Sequence, residues 1–514
     1  MMNEAESVIS EKTVKSYADC IEELDAGAVC EGLLCFGLFG DKIPPVLSSK
    51  SFFDYISGKK QGSNKKSNGW ITYRYTRNSS EYREFGIPNP FVYEALARCI
   101  RDNWSEIQNL LENNVKGNPY KISRIHPRKL NGTKAIFEMN YKPWWIDDNP
   151  IPALLLGKRY VVKCDISRCF PSIYTHAIDW AIVGKLEAKK NKKNGSKIWS
   201  RKLDACAANI KNGETHGLLI GPHSSNLLAE IILTKIDGHL FKKGYKFVRN
   251  IDDYECYVKS YENAESFVVD LERALFEYGL SINQSKTVIS KLPKVISSSW
   301  TRKLKNYCFS GEVLSYKDVQ SYLDYAIELM EEIGGNASVL LYALKVLSNS
   351  KLSTNAAVYY SEMGMHLACL YPYLAPHIEN SLIKPTGMEK AKIKSLSEIM
   401  YKNAINGRDY LTVCYSLYFA TKYGFDLKVE SEEIIQSGDC LLKLFSFLYA
   451  KKRNKKELRN ALKEHAKKLE LEEFDRNWLF AYQALKKEDL PEGEWREIKN
   501  NGVSFVDKDA LKNK

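Results

Sequence analysis

Three carboxylates stand where a phosphoryl-transfer centre would need them. Asp165 ends the apolar run Val161-Val-Lys-Cys-Asp165. Asp252 and Asp253 are adjacent in Val248-Arg-Asn-Ile-Asp-Asp-Tyr254. When a 3′-hydroxyl attacks an α-phosphate and pyrophosphate leaves, two metal ions can stabilise both the attacking and the leaving oxygen. Mg²⁺ is a hard cation and prefers carboxylate oxygens. One Asp at a strand end and an Asp-Asp pair in a hairpin are an economical way to gather such oxygens from separate strands. Between them lies Gly217-Leu-Leu-Ile-Gly221-Pro-His-Ser224-Ser225, a glycine-rich turn opening a helix, whose free N–H groups favour anions. Each block alone is commonplace, because Asp also fills turns and caps. Their order within one domain-sized span is what points to nucleotidyl transfer.

The elements that position these residues can be read from periodicity. Arg159–Cys164 is a short β-rich run, and Lys246–Ile251 followed by Tyr254–Val258 reads as two strands around a tight turn. Asn226–His239 and Asn263–Tyr278 take helical spacing, the second stopped by Gly279. Upstream, Asn89 is placed to cap a helix that begins at Pro90. After Trp300 strand patterns thin out, and apolar residues recur at three and four, as in Tyr322–Met330, Val339–Leu347 and Leu441–Leu448. The expected organisation is an N-terminal region over 1–155, a catalytic domain over 156–300 and an all-helical domain over 301–514.

Composition narrows the class. The chain has 514 residues, 44% of them hydrophobic and 27% charged, which fits a globular protein of more than one domain. A net charge of +12 is compatible with a polyanionic partner. The twelve cysteines show neither CxxC pairs nor ligand-like spacing, so reduced thiols are expected. The N-terminus lacks a signal-peptide pattern, and no apolar run approaches the ~20 residues of a membrane span. A cytoplasmic protein with no membrane contact is expected.

The blocks resemble the motifs of reverse transcriptases. Asp165 with Phe170 resembles motif A, Gly217–Ser225 motif B, Asn250-Ile-Asp-Asp253 motif C and Tyr278–Thr287 motif D. The subgroup it looks most similar to is the bacterial abortive-infection and defence-associated reverse transcriptases, which carry a helical domain in place of a thumb. The resemblance implies an α+β fold: right-hand polymerase fingers and palm, followed by an all-α, helical-repeat-like C-terminal domain. It implies an RNA-directed DNA polymerase that uses Mg²⁺ or Mn²⁺ and acts in antiphage defence. The partners it implies are dNTPs, a non-coding RNA or DNA product, and further copies of the same chain. Synthesis would be RNA-templated or untemplated, and primed in some members by a protein hydroxyl.

Carried over by position, Asp165, Asp252 and Asp253 are the catalytic metal ligands, with Ile166 beside them at the metal and the nucleotide. Phe170 is a steric gate under the sugar, and Lys286 stands near the triphosphate. Gly221, Ser224 and Ser225 line the nucleotide. Arg74, Arg77, Arg83 and Arg124 are candidates to hold phosphates, and Ser123–Lys129 reads as a basic hairpin that closes over them. Lys189–Lys197 with Arg201, and Lys451–Lys456, are candidate nucleic-acid contacts. Two positions depart from the pattern: Asn250 replaces an aromatic, and Leu219 replaces a proline. They motivate an alternative, an RNA-binding scaffold with an idle polymerase fold.

Overall fold

A computed structural model describes residues 15–59, 69–76, 82–139, 149–190, 198–294, 299–336 and 338–512. Arg77, the lysines of 191–197 and most of the 58–69 loop lie outside the described residues.

The catalytic blocks converge on a four-stranded sheet. Its strands are β3 (Tyr160–Asp165), β4 (Lys246–Asn250), β5 (Asp253–Val258) and β6 (Val288–Lys291), in the order β4-β5-β3-β6. All three pairings are antiparallel. Val162, Cys164, Phe247, Tyr254 and Cys256 are buried, which is why these short runs hold as strands. The helix Tyr261–Phe276 packs on β3 and β5, and the helix His223–Lys242 packs against it. The His223–Lys242 helix extends the expected Asn226–His239 at both ends, and the Tyr261–Phe276 helix begins two residues before the expected Asn263 and ends two short of Tyr278.

Upstream, β1 (Ile71–Thr76) and β2 (Tyr82–Ile87) form an antiparallel hairpin. The helix Pro90–Asp102 follows, with Pro90 in its first turn and the Asn89 side chain accepting from the Phe91 N–H at 3.0 Å. That is the start chemistry its sequence carries.

Beyond Ser299 helices dominate, among them Tyr316–Glu332, Thr354–Leu370, Lys390–Asn406, Tyr410–Tyr423 and Cys440–Lys452. The expectation of an all-helical segment needs one correction. Val313–Leu314 and Lys351–Leu352 pair as a small parallel ladder, too short to show as alternation in the sequence. This segment folds back onto the first hundred residues. Thr76 Oγ1 donates to Asp409 at 3.3 Å, Asn89 Nδ2 to Asp475 at 3.2 Å and Tyr415 Oη to the Lys42 carbonyl at 3.2 Å. The C-terminal stretch closes the loop: the Ser48 N–H donates to the Phe505 carbonyl at 3.0 Å and the Asp507 N–H to the Val46 carbonyl at 2.8 Å. Phe505 is fully buried among Phe39, Phe52, Trp478 and Tyr482. One continuous hydrophobic core therefore runs from Tyr17 to Phe505. Among the described residues, no helix is long and apolar enough to cross a membrane.

Candidate active site

Strand register brings the acids together. In the β3–β5 ladder Asp165 lies directly opposite Asp253, and in the β4–β5 ladder Asn250 lies opposite Asp253. The two-residue loop between β4 and β5 is Ile251-Asp252. Carboxylate oxygens of Asp165, Asp252 and Asp253 lie within 4.8 Å of one another, the one such cluster of potential metal ligands among the described residues.

That crowding shows in the proton affinities of Asp252 and Asp253. Burial pushes Asp252 above the usual carboxylate range, and the charge of Asp165 adds to the rise. Arg83 and Lys286 act against it. Asp253 is pushed up to about 6, first by burial and then by Asp252 and Asp165. A like charge so close raises a carboxylate's pKa unless a cation neutralises it. Hard carboxylate donors at this separation fit divalent ions such as Mg²⁺.

The flanks complete the cluster. Asn283 binds Asp165 twice, its N–H donating to the carbonyl at 2.7 Å and its Nδ2 to Oδ2 at 3.1 Å. Lys286 Nζ sits 3.2 Å from the same Oδ2 and is otherwise exposed. Lys286, expected near a triphosphate, lies beside the acids. Asn283 was not singled out in the sequence; its signal is its place at the head of the same short turn, Gln284–Lys286. Ile166 is buried, and its N–H donates to the Asp252 carbonyl at 3.1 Å. Its side chain belongs to the core, so only its backbone can face a metal.

The turn itself is unusual. Ile251 has φ +56°, a left-handed conformation that a β-branched residue rarely adopts. Holding a residue there costs of order 1–3 kcal/mol and needs support from its surroundings. Beneath it Arg249 is fully buried, with Nε and Nη2 on Asp237 at 2.7–3.0 Å and Nη2 on Glu230 at 3.1 Å. Tyr254 Oη donates to Asp237 and Tyr17 Oη to Glu230, each at 3.0 Å. Sequence reading missed this network. Its available signal was two acids seven residues apart on an apolar helix, with an arginine inside an apolar strand.

The glycine-rich block meets the β1–β2 hairpin. The Gly86 N–H donates to the Ile220 carbonyl at 2.8 Å. Gly221 has φ +124°, and a Cβ there would lie 3.2 Å from the Gly86 carbonyl oxygen. Ser224 and Ser225 are buried in the first turn of the His223–Lys242 helix. Phe170 is half-buried in the turn after β3, its carbonyl accepting from the Leu218 N–H at 2.8 Å. Motifs A and B are thus stitched together by backbone.

The basic candidates separate. Arg74 pairs with Glu84 and Arg83 with Tyr75, so the two arginines project from opposite faces of the hairpin. The charge of Arg83 reaches Asp252. Arg124 is buried, and its N–H donates to the Arg249 carbonyl at 2.8 Å. The expected basic hairpin over Ser123–Lys129 is instead a largely buried irregular segment, because its backbone bonds go to Arg249 and Ile136. Arg201 pairs with Asp179, while Arg453 and Lys455 share Asp426. These three are committed to ion pairs within the fold.

The family comparison agrees with this geometry. Residues 81–313 match the family described as reverse transcriptase (RNA-dependent DNA polymerase). No curated protein matches the chain. Among solved structures, apo telomerase from Candida tropicalis is 12% identical, with 80% of this chain and 72% of that one covered and a TM-score of 0.32. Telomerase from Candida albicans, in complex with a telomeric RNA fragment, is 11% identical, with 83% and 69% covered and a TM-score of 0.31. The acidic cluster lies inside the matched span, and the match of residues 81–313 to a reverse transcriptase domain indicates an RNA-directed DNA polymerase, a nucleotidyltransferase.

Proposed function

We propose that the protein adds deoxynucleotides to a growing 3′ end at a two-metal centre held by Asp165, Asp252 and Asp253, and that it serves bacterial antiphage defence. The observation that carries the catalytic reading is the convergence of three carboxylates within 4.8 Å at the register point of β3 and β5. The metals, when bound, supply charge stabilisation to the attacking and leaving oxygens. The chain's own residues do the rest. Asp165 and Asp252 hold the cluster, and Asp253 completes it. Asn283 fixes the rotamer of Asp165. Lys286, with its exposed ammonium beside the cluster, faces the negative charge that builds on the triphosphate. Phe170 packs under the sugar and leaves no room for a 2′-hydroxyl. Gly221 lets the backbone approach the nucleotide, and Ser224 and Ser225 shape the first turn of the helix that follows it.

The defence role rests on the sequence resemblance to the abortive-infection group, together with the helical segment that follows the palm. Mg²⁺ or Mn²⁺ as the cofactor, an associated RNA and assembly into a homo-oligomer belong to the same reading. The catalytic part is tested by incorporation of labelled dNTPs by purified protein with Mg²⁺ or Mn²⁺, against an Asp252→Asn/Asp253→Asn variant. The expected result is metal-dependent incorporation that vanishes in the variant. Incorporation that persists in the variant overturns it. RNA binding without metal binding or incorporation would instead favour the scaffold reading that Asn250 motivates.

A further inference from the structure

We infer that Arg249 is a positioning residue for the metal site: it ties the strained Asp-bearing turn to the motif B helix and so sets where Asp252 and Asp253 point. The inference rests on the reading that those aspartates hold metal.

The geometry is specific. Arg249 is the second-last residue of β4, and its side chain turns back under the loop it precedes. Nη1 donates to the Ile251 carbonyl at 2.9 Å. The remaining donors grip Asp237 and Glu230, which lie two turns apart on one face of the His223–Lys242 helix. The planar fork of a guanidinium can serve three acceptors at fixed angles, which an ammonium cannot do. One end of this clamp is therefore a helix whose first turn carries Ser224 and Ser225. The other end is the peptide that joins Ile251 to Asp252.

Ile251 is where such a clamp is needed. A left-handed β-branched residue tends to relax toward negative φ, and that rotation would swing Asp252 away from Asp165. Two bonds oppose it: Arg249 to the Ile251 carbonyl, and the Ile166 N–H to the Asp252 carbonyl. The second comes from β3, the strand that supplies Asp165. The first comes from the helix side, through Arg249. The balance of charge also points to a positioning part. A single guanidinium faces two buried carboxylates, with Tyr17 and Tyr254 hydroxyls completing their hydrogen bonds. Apolar residues would fill this space without that desolvation. Only a charged, multi-pronged donor can hold a carbonyl and two helical turns at once.

The test is Mn²⁺ binding to the full-length protein, followed by electron paramagnetic resonance without nucleotide, alongside circular dichroism and thermal melting. The proteins are the unaltered chain, Arg249→Lys, Tyr17→Phe and a neutralised Arg249→Gln/Glu230→Gln/Asp237→Asn variant. Tyr17→Phe removes a bond from the network but leaves the clamp on Ile251 in place. Loss of groups that orient metal ligands typically weakens metal binding about 10–100-fold. The expected result is a Mn²⁺ dissociation constant raised about tenfold or more in Arg249→Lys while the protein stays folded, with Tyr17→Phe within about twofold of the unaltered chain. If Arg249→Lys fails to fold, the neutralised variant, which buries no unpaired charge, should fold and show the same weakening. Unchanged Mn²⁺ affinity in either folded variant overturns the inference alone. So does failure of both to fold, which would make Arg249 a part of the folding core. Absence of Mn²⁺ binding by the unaltered chain would sink the reading of the acidic cluster, and this inference with it.

Discussion

Asp165 and Asp253 face each other as direct partners across the β3–β5 ladder, although 87 residues of chain separate them. Such pairs place side chains on the same face of a sheet, and like charges there are destabilising. The arrangement is tolerable when a cation sits between them. Asp165→Asn and Asp252→Asn should each lower dNTP incorporation by roughly 10³-fold, the scale of losing a principal electrostatic stabiliser. Without metal, neither variant should melt below the unaltered protein, since each removes a charge from a crowded cluster. Single-turnover incorporation and melting curves in chelator check both halves.

The site should also be proton-sensitive. Asp253 is pushed up to about 6, chiefly by burial and then by its two neighbours. A carboxylate raised in the folded state binds its proton more tightly there than in the unfolded chain. Its contribution to stability is thus present below about pH 4 and is lost as pH rises through about 6. Metal binding needs the ionised form and has the opposite dependence. The metal concentration for half-maximal incorporation is expected to fall steadily from pH 5 to pH 7. Asp253→Asn should flatten that dependence. A profile unchanged by the substitution would contradict the assignment.

Phe170 supplies the prediction on sugar choice. The ring is half-buried after β3, in a turn whose carbonyl is tied to motif B. Phe170→Ala should narrow the preference for dNTPs over rNTPs by about tenfold or more, because a steric clash is what rejects the 2′-hydroxyl. The measurement is the ratio of kcat/KM for matched nucleotides. Equal discrimination in the variant would return Phe170 to a packing role.

Gly221 tests the motif B turn. Its φ of +124° is a region that other residues hardly enter, and an added Cβ would press on the Gly86 carbonyl. Gly221→Ala is expected to cost about 1–3 kcal/mol, read as a lower melting temperature, and to raise KM for dNTPs as the turn shifts.

The C-terminal closure makes a stability prediction far from the acids. Phe505 fills an aromatic cluster shared by the first sixty residues and the last helices. Truncation of a fully buried Phe to Ala costs about 3–5 kcal/mol. Phe505→Ala should lower the melting temperature and speed proteolysis of the segment around Val46, while Mn²⁺ affinity changes little.

The local parts of this protein were legible in its sequence because short-range chemistry determines them. Short β-rich runs placed β3, β4 and β5, and Asn89 and Pro90 marked a helix start that the structure keeps. The order of the acidic and glycine-rich blocks pointed to the chemistry that the family match supports. Other features depended on contacts across hundreds of residues. The basic run at Ser123–Lys129 reads as a hairpin by composition, yet its backbone is claimed by Arg249 and Ile136. Arg74 and Arg83 look alike in the sequence, and strand register alone sends them to opposite faces. Asn283 and Arg249 gain their roles from partners that no local window contains. The sequence by itself determined which residues could hold a metal and which segments would be strands or helices, because those depend on side-chain type and period. Only the tertiary structure decided which carboxylates meet, which cations are already paired and that the C-terminal stretch returns to residues 46–52, because register, burial and long-range packing exist only once the chain has closed on itself.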